Sequence, residues 1–499
     1  MNVKECLEYV TKVDMEAKKY MHAAGVLQYD METICPSAAM EEEGEVSSFL
    51  ANKAYELKKD DKYIENMEYL YEHREELGDL DNARAYVFHR DFEKEKNITP
   101  KMQLEFSNVY NKGFVAWLDA KSKSDFGLFS KALSDIKDVE MKTYNLCDKK
   151  YDSCYDFLFD RYEEGVTSKD LDEAFGAFKD RIIPLLKNIQ NSKKKIRTDF
   201  MSRKVTDAEQ MELSQRIMDL IGMDKDRRAL SLSEHPFTDG YSYSDVRITT
   251  HFYEDNFASS MYSIIHEGGH ALFEMFQPKE NFEHFLNDKT MGQHESVSRF
   301  YENIIGRSKG FVHLIYPIVK EVFKGRFNDV TEEELYEALN LVTPSLVRTE
   351  ADELTYTFHI IIRYEIEKMI VNEGYNIEDL PKLWNEKYKE YLGIDVPNDK
   401  EGVLQDMHWA SGFGYFPTYA LGNMYNSMYY NKMKEDMDVE KEVSEGHMDK
   451  ILAWMSSHVF AKADRMAPKD WIKDITGRNF TPNDFLDYLE DKYTKIYEL

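Results

Sequence analysis

The sequence predicts a mainly α-helical protein, with a large helical body and one small β-sheet. From residue 1 to about 230 the chain consists of long charged segments with few glycines or prolines, which is typical of helices. Between His235 and Phe257 an alternating run is the only persuasive strand signal, with Val246, Ile248 and Thr250 on one face. This run predicts a short hairpin or small sheet.

The N-terminal helices have four predicted interruptions. They lie near Pro36, Asp79, Pro100 and Pro184, because proline and short acidic turns end or break helices. We find no low-complexity segment and no repeat.

A His-Glu-x-x-His pattern follows the strand signal and lies in a predicted amphipathic helix that begins after the candidate cap Asn256. His266 and His270 are one helical turn apart, with Cβ atoms about 5–6 Å from each other, so both imidazoles can reach one zinc-sized ion. Glu267 lies beside them and can take a proton from water as a general base. A pattern this short also arises by accident, but its helical context favours a metal site.

Two glycines, Gly268 and Gly269, lie inside this helix. Each costs about 1 kcal/mol relative to alanine in a helix. We therefore expect a close approach at this face, by substrate backbone or by a neighbouring helix.

A catalytic zinc usually has three protein ligands and one open position. Glu274 is about 12 Å along the helix axis from His266 and cannot be the third ligand of a straight helix. The candidates lie in the next predicted helix, where His294 or Glu295 could serve and Glu302 is a weaker alternative.

The composition excludes several classes of partner. A formal charge of -29 argues against nucleic acid and against an anionic membrane surface, since both require basic patches. The N-terminus has no apolar core of a signal peptide, and no apolar window is long enough to span a bilayer. The four cysteines are irregularly spaced, so we expect no disulfide framework and a cytoplasmic location.

Six ordered motifs cover nearly the whole chain and together resemble the carboxypeptidase Taq family of HEXXH metallocarboxypeptidases. In this sequence they are His235-Pro236-Phe237, then Asp245, Arg247 and Thr249 of Asp-x-Arg-x-Thr, His266 to His270, His294-Glu295-Ser296-Val297, Val347-Arg348-Thr349-Glu350-Ala351-Asp352, and Gly402 to Trp409. Val297 departs from the glutamine of the family pattern, which could loosen metal binding.

The resemblance implies a gluzincin-like helical fold with a deep cleft. Residues 1–230 would form one wall or lid, and residues 231–499 the catalytic portion. It also implies a homodimer, one Zn²⁺ or Co²⁺ per chain, and removal of C-terminal residues from peptides that have a free C-terminus.

Matched position by position, the resemblance also implies residue roles. The metal ligands are His266, His270 and Glu295, the catalytic carboxylate is Glu267, and the substrate-binding residues are Arg348, Tyr415, His408, Arg247 and His235. Arg348 would receive the substrate carboxylate through paired hydrogen bonds, with Arg247 as the alternative. Its charge pattern alone indicates only a solvated helix residue.

Two other functions remain open from the sequence. An oligopeptidase with the same metal chemistry would cut internal bonds and would cleave C-terminally amidated peptides as fast as free ones. A non-catalytic peptide-binding protein would lack tightly bound metal and chelator-sensitive activity.

Overall fold

The computed structural model describes residues 2–286 and 290–499, and these confirm the mainly helical fold. Nine α-helices precede the sheet: α1 (Val3–Thr33), α2 (Met40–Lys58), α3 (Asp61–Glu72), α4 (Asp79–Glu95), α5 (Pro100–Lys123), α6 (Gly127–Leu146), α7 (Cys154–Asp160), α8 (Ser168–Asn191) and α9 (Asp207–Ile221). The sheet consists of β1 (Arg228–Leu232), β2 (Thr238–Ser242) and β3 (Asp245–Thr250).

Twelve described α-helices follow the sheet: α10 (Phe257–Phe276), α11 (Lys279–Glu283), α12 (Met291–Arg299), α13 (Lys309–Val322), α14 (Glu332–Leu339), α15 (Tyr356–Asn372), α16 (Leu380–Leu392), α17 (Pro417–Asp436), α18 (Val439–Ser444), α19 (Met448–Met455), α20 (Pro468–Thr476) and α21 (Asn483–Tyr497). Within the described residues, none of the helices is both long and apolar enough to cross a membrane. All four cysteines are free thiols.

The predicted hairpin exists and gains a third strand. The strand order is β1-β3-β2, with β2 antiparallel and β1 parallel to β3. Val246, Ile248 and Thr250 of β3 are buried, as predicted. The sequence did not indicate β1, whose five residues are partly exposed. Since β3 is central, β1 and β2 are the edge strands of this sheet.

Three of the four predicted helix interruptions are confirmed. The chain between α1 and α2 contains Pro36, α4 begins at Asp79, and α5 begins at Pro100. The break at Pro184 is wrong, because this proline lies inside α8. Buried Ile182 and the apolar residues that follow pack into the main core and hold the helix together despite the missing N–H group.

The N-terminal helices have a small apolar cluster of their own. It is formed by α1, α3 and α4 and is separate from the main core. The second half of α1 lies against the hairpin, where Tyr29 packs on Phe237 and a Cβ at Gly25 would lie 2.7 Å from the ring of Tyr241. The N-terminal portion is therefore in direct contact with the strand beside α10.

Candidate active site

The helix α10 places the motif residues on one face and packs closely against two neighbours. Asn256 caps it as predicted, accepting from the Ser259 N–H group. A Cβ at Gly269 would lie 2.7 Å from Ser298 Cα of α12, and one at Gly268 would lie 2.5 Å from Ile221 Cδ1 of α9. Neighbouring helices, one of the two expected alternatives, therefore make the close approach.

The helix α12 brings the third candidate ligand to α10. It starts with a capping box, in which Thr290 and Gln293 satisfy each other's main-chain N–H groups. On its other side lies α17, where a Cβ at Gly422 would be 2.9 Å from Glu295 Cγ. Glu295 is thus confined between α10 and α17.

His266, His270 and Glu295 offer ligand atoms that lie within 4.8 Å of one another. Oε2 of Glu295 is 3.7 Å from Nε2 of His266 and 3.5 Å from Nε2 of His270. Two imidazoles and a carboxylate are a donor set that suits zinc, so the residues present fit a divalent ion. Of the three alternatives for the third ligand, Glu295 is the one that joins this cluster.

The surroundings of Glu295 favour its deprotonated form, which is the form that binds a cation. Burial alone would raise the pKa of Glu295, but the guanidinium of Arg299 and the two imidazoles hold that pKa well below its usual range. Arg299 donates from Nε to Oε1 of Glu295 at 2.7 Å. This leaves Oε2 as the oxygen that faces the histidines.

Glu302 lies behind His266 rather than in the cluster. After α12 the chain continues as a π-helical turn, Phe300–Ile305, which is a feature frequent at functional sites. Oε2 of Glu302 is 2.8 Å from Nδ1 of His266 and 3.1 Å from Nη1 of Arg299. Such a carboxylate orients the imidazole and selects the tautomer that leaves Nε2 free for a metal.

His294 points away from this cluster. Its Nε2 atom is 3.0 Å from Oε1 of Glu274, and its ring stacks on His270 with centroids 4.4 Å apart. His294 therefore packs against the candidate ligand His270 without belonging to the cluster.

Glu267 is buried and receives a hydrogen bond from β2. The hydroxyl of Thr238 is 2.6 Å from Glu267 Oε2. Glu267 also lines a cavity of about 810 Å³, together with His235, His266, Glu295, Arg299, Glu302, Arg307, Arg348, Tyr356 and Tyr419. Because the Glu267 carboxylate lies next to the candidate metal ligands and lines an open cavity, it is suited to proton transfer.

Arg348 is buried in the wall of this cavity, so the interpretation as a solvated helix residue is wrong. Its Nε and Nη2 atoms donate to the two oxygens of Asp406 at 3.1 and 3.0 Å, and Nη1 donates to the Tyr356 hydroxyl at 3.3 Å. Two of its five N–H groups remain for a ligand.

The other sequence-predicted residues lie at different distances from the cluster. His235 is exposed at the cavity rim. The rings of Tyr415 and His408 contact that of Tyr419, which lines the cavity, whereas neither of the two is among the described lining residues. Arg247 forms a double ion pair with Asp245 and is outside the described lining of this cavity.

Sequence reasoning missed several residues that contact the site. Arg299 had a detectable signal, since it is four residues after Glu295 on one helix face. Thr238, Tyr356 and Tyr419 carried no such signal, because each reaches the site from another element.

A metal-ligand cluster of this kind, carried by a His-Glu-x-x-His helix in a largely helical protein, defines the class of HEXXH metallopeptidases. The model of the carboxypeptidase Taq (M32) metallopeptidase family matches residues 9–493. Carboxypeptidase 1 of Bacillus subtilis (strain 168) is 37% identical over 483 residues, covering 96% of each chain. Thermostable carboxypeptidase 1 of Pyrococcus furiosus is 34% identical over 477 residues, covering 95% of each.

Solved structures agree with this similarity. An M32 carboxypeptidase from Deinococcus radiodurans R1 superposes with a TM-score of 0.95 at 28% identity, covering 99% of this chain and 100% of that one. The chain therefore belongs to the carboxypeptidase Taq (M32) family, as its motifs predicted. It is a metallocarboxypeptidase, a peptide hydrolase that depends on a divalent metal.

Proposed function

We propose that this enzyme releases C-terminal amino acids from peptides with one zinc or cobalt ion held by His266, His270 and Glu295. The observation that carries the proposal is the convergence of these three side chains beside Glu267 and one cavity. The donor set suits both metals. When bound, the ion polarises the scissile carbonyl and lowers the pKa of a water ligand to about 7.

Glu267 is the general base of this proposal. Its carboxylate lies one residue from His266 and faces the cavity, where it accepts the proton of the attacking water. It then transfers that proton to the nitrogen of the leaving amino acid, which breaks the peptide bond. Glu302 and Arg299 keep His266 and Glu295 in their orientations throughout.

Arg348 is the proposed receiver of the substrate's C-terminal carboxylate. Asp406 fixes its guanidinium from behind, and the remaining N–H groups can bind a second carboxylate through charge-assisted hydrogen bonds. Arg348 is buried in the wall of the cavity that His266 and Glu295 also line, and this position favours the role. Arg247 is less suitable, because it is outside the described lining of the cavity that contains Arg348, His266 and Glu295.

Tyr415 or His408 is the proposed donor to the oxyanion. Burial raises the pKa of Tyr415 to about 12, so its phenol keeps its proton at neutral pH. Burial likewise lowers the pKa of His408 to about 4, so its imidazole is neutral and has one N–H to donate. Either would act next to Tyr419 at the edge of the cavity, with His235 contacting the substrate at the rim.

The larger organisation is proposed in the same way. Residues 1–230 would form one wall or lid of the cleft, which the contact of α1 with β2 supports, and residues 231–499 the catalytic portion. A homodimer follows from the family resemblance alone. The free cysteines are consistent with a cytoplasmic location.

Product analysis by mass spectrometry of one peptide, with and without added zinc or cobalt, tests the proposal. We expect a ladder of products shortened one residue at a time from the C-terminus, dependent on metal and abolished by a chelator. A matched C-terminally amidated peptide should react at least about tenfold more slowly, because Arg348 loses a charged partner. Equal rates on the two peptides would contradict the exopeptidase proposal and favour an oligopeptidase.

A further inference from the structure

The strand β2 carries a side chain that contacts the proposed general base. The Thr238 hydroxyl lies 2.6 Å from Glu267 Oε2 and 3.0 Å from the main-chain oxygen of the same residue. In the part of the chain that the structure describes, no other side chain forms a hydrogen bond to this carboxylate. The orientation of Glu267 therefore depends on one hydroxyl group from outside its own helix.

We propose that Thr238 is a positioning residue for Glu267, an inference that rests on the proposed function. By donating to Oε2, the hydroxyl fixes the rotation of the carboxylate and leaves Oε1 for the attacking water. The hydroxyl has one proton and two lone pairs. Its oxygen also lies close to the main-chain oxygen of Glu267, so both contacts of the hydroxyl are with the same residue.

Contacts within two of the sequence motifs place Thr238. The preceding residue, Phe237, donates its main-chain N–H to Oγ1 of Thr249 at 3.0 Å, and Thr249 donates its own N–H to the Phe237 oxygen at 2.9 Å. Thr249 is fully buried in β3, and the Ser233 hydroxyl lies 2.6 Å from its Oγ1. Residues of the His-Pro-Phe and Asp-x-Arg-x-Thr motifs thus fix the position of the start of β2 relative to β3.

The geometry of the strand sets the direction in which Thr238 points. Side chains two residues apart face the same side of a strand. Gly240 also faces α10, where a Cβ would lie 2.9 Å from Glu274 Cγ. The strand therefore lies directly on the helix, with Thr238 on the face that is turned toward Glu267.

The substitutions Thr238→Val and Thr238→Ser separate positioning from packing. Valine keeps the shape and removes the hydroxyl, whereas serine keeps the hydroxyl and removes a methyl group. Because a hydrogen bond to a charged group is lost only in the valine variant, we expect its kcat to fall roughly ten- to a hundredfold with KM within about twofold. The serine variant should retain kcat within about threefold of the original enzyme.

Metal content and Tm of each purified variant are measured alongside the kinetics. Thr238→Ala removes the same hydroxyl without a new methyl group, so its kcat should match that of the valine variant even if valine disturbs the fold. The inference is overturned if valine and alanine keep the original kcat, or if serine loses as much as they do.

Glu267→Gln distinguishes this inference from the proposed function. Glutamine cannot accept the proton, so the variant should be inactive while still binding metal. An active Glu267→Gln enzyme would overturn the proposed function itself. An inactive one beside a fully active Thr238→Val enzyme would overturn only the positioning role.

Discussion

Gly269 is the position at which a single methyl group should separate two halves of the metal site. A Cβ there would lie 2.7 Å from Ser298 Cα and 3.0 Å from the Val297 oxygen, both main-chain atoms of α12. Ordinary contact begins at 3.4 Å, so Gly269→Ala requires the two helices to separate by about 0.7 Å. Since metal–ligand distances tolerate only about 0.2 Å, Glu295 should lose its place beside His270.

The matched control is Gly268→Ala. Both substitutions gain about 1 kcal/mol of intrinsic helix propensity. At Gly268, however, the added methyl group would be too close only to Ile221 Cδ1, the end of a side chain that can change rotamer, and Met223 Sδ would be in ordinary contact at 3.5 Å. We expect Gly268→Ala to change the free energy of unfolding by less than about 1 kcal/mol, and Gly269→Ala to lower it by about 1–3 kcal/mol.

Urea unfolding and zinc titration against a competing chelator measure the two effects. The Kd of Gly269→Ala for zinc should rise roughly ten- to a hundredfold, whereas that of Gly268→Ala should stay within about threefold of the original value. Equal stability and equal zinc affinity of the two variants would refute the argument that main-chain contact between α10 and α12 sets the ligand geometry.

Three further predictions concern buried charges. Glu302→Gln removes the charge behind His266 and should weaken zinc binding about tenfold in the chelator assay, with an unchanged Kd as the contradicting result. Arg348→Met should raise KM for free peptides at least about tenfold and leave amidated peptides almost unaffected, and parallel losses on both would exclude carboxylate recognition. Burial raises the pKa of Glu367 from 4.5 to about 7. Because Glu367 then keeps its proton in the folded state to a higher pH than in the unfolded state, it contributes about 3 kcal/mol to the free energy of unfolding at low pH. This contribution is fully present below pH 4.5 and is lost as the pH rises through 7. The free energy of unfolding in urea should fall less between pH 5 and pH 8 for Glu367→Gln than for the original enzyme. Equal decreases in the two proteins would contradict this prediction.

Local patterns account for much of the fold and for two of the three residues of the candidate metal site. The cap at Asn256 and the apolar spacing of α10 are properties of a short segment, and a helix brings His266 and His270 together wherever it packs. The alternation in β3 likewise identified its buried face. These features depend on neighbours along the chain, so the sequence was sufficient to predict them.

The helix around Pro184 and the strand β1 are two features that local sequence patterns did not predict. The proline is tolerated inside α8 because apolar side chains around it are buried in the main core, and β1 exists because β3 offers it a partner. Neither fact is visible in the residues themselves, since both depend on segments that are distant in sequence.

The choice of the third ligand belongs to the tertiary structure in the same way. Residue chemistry left His294, Glu295 and Glu302 open, and only the family resemblance favoured Glu295. Main-chain contacts at Gly269 and Gly422 bring α12 between α10 and α17 and turn Glu295 toward the histidines. The sequence determined which side chains share a helix face, but the distance between faces was decided by packing, because that distance depends on how closely two backbones can approach.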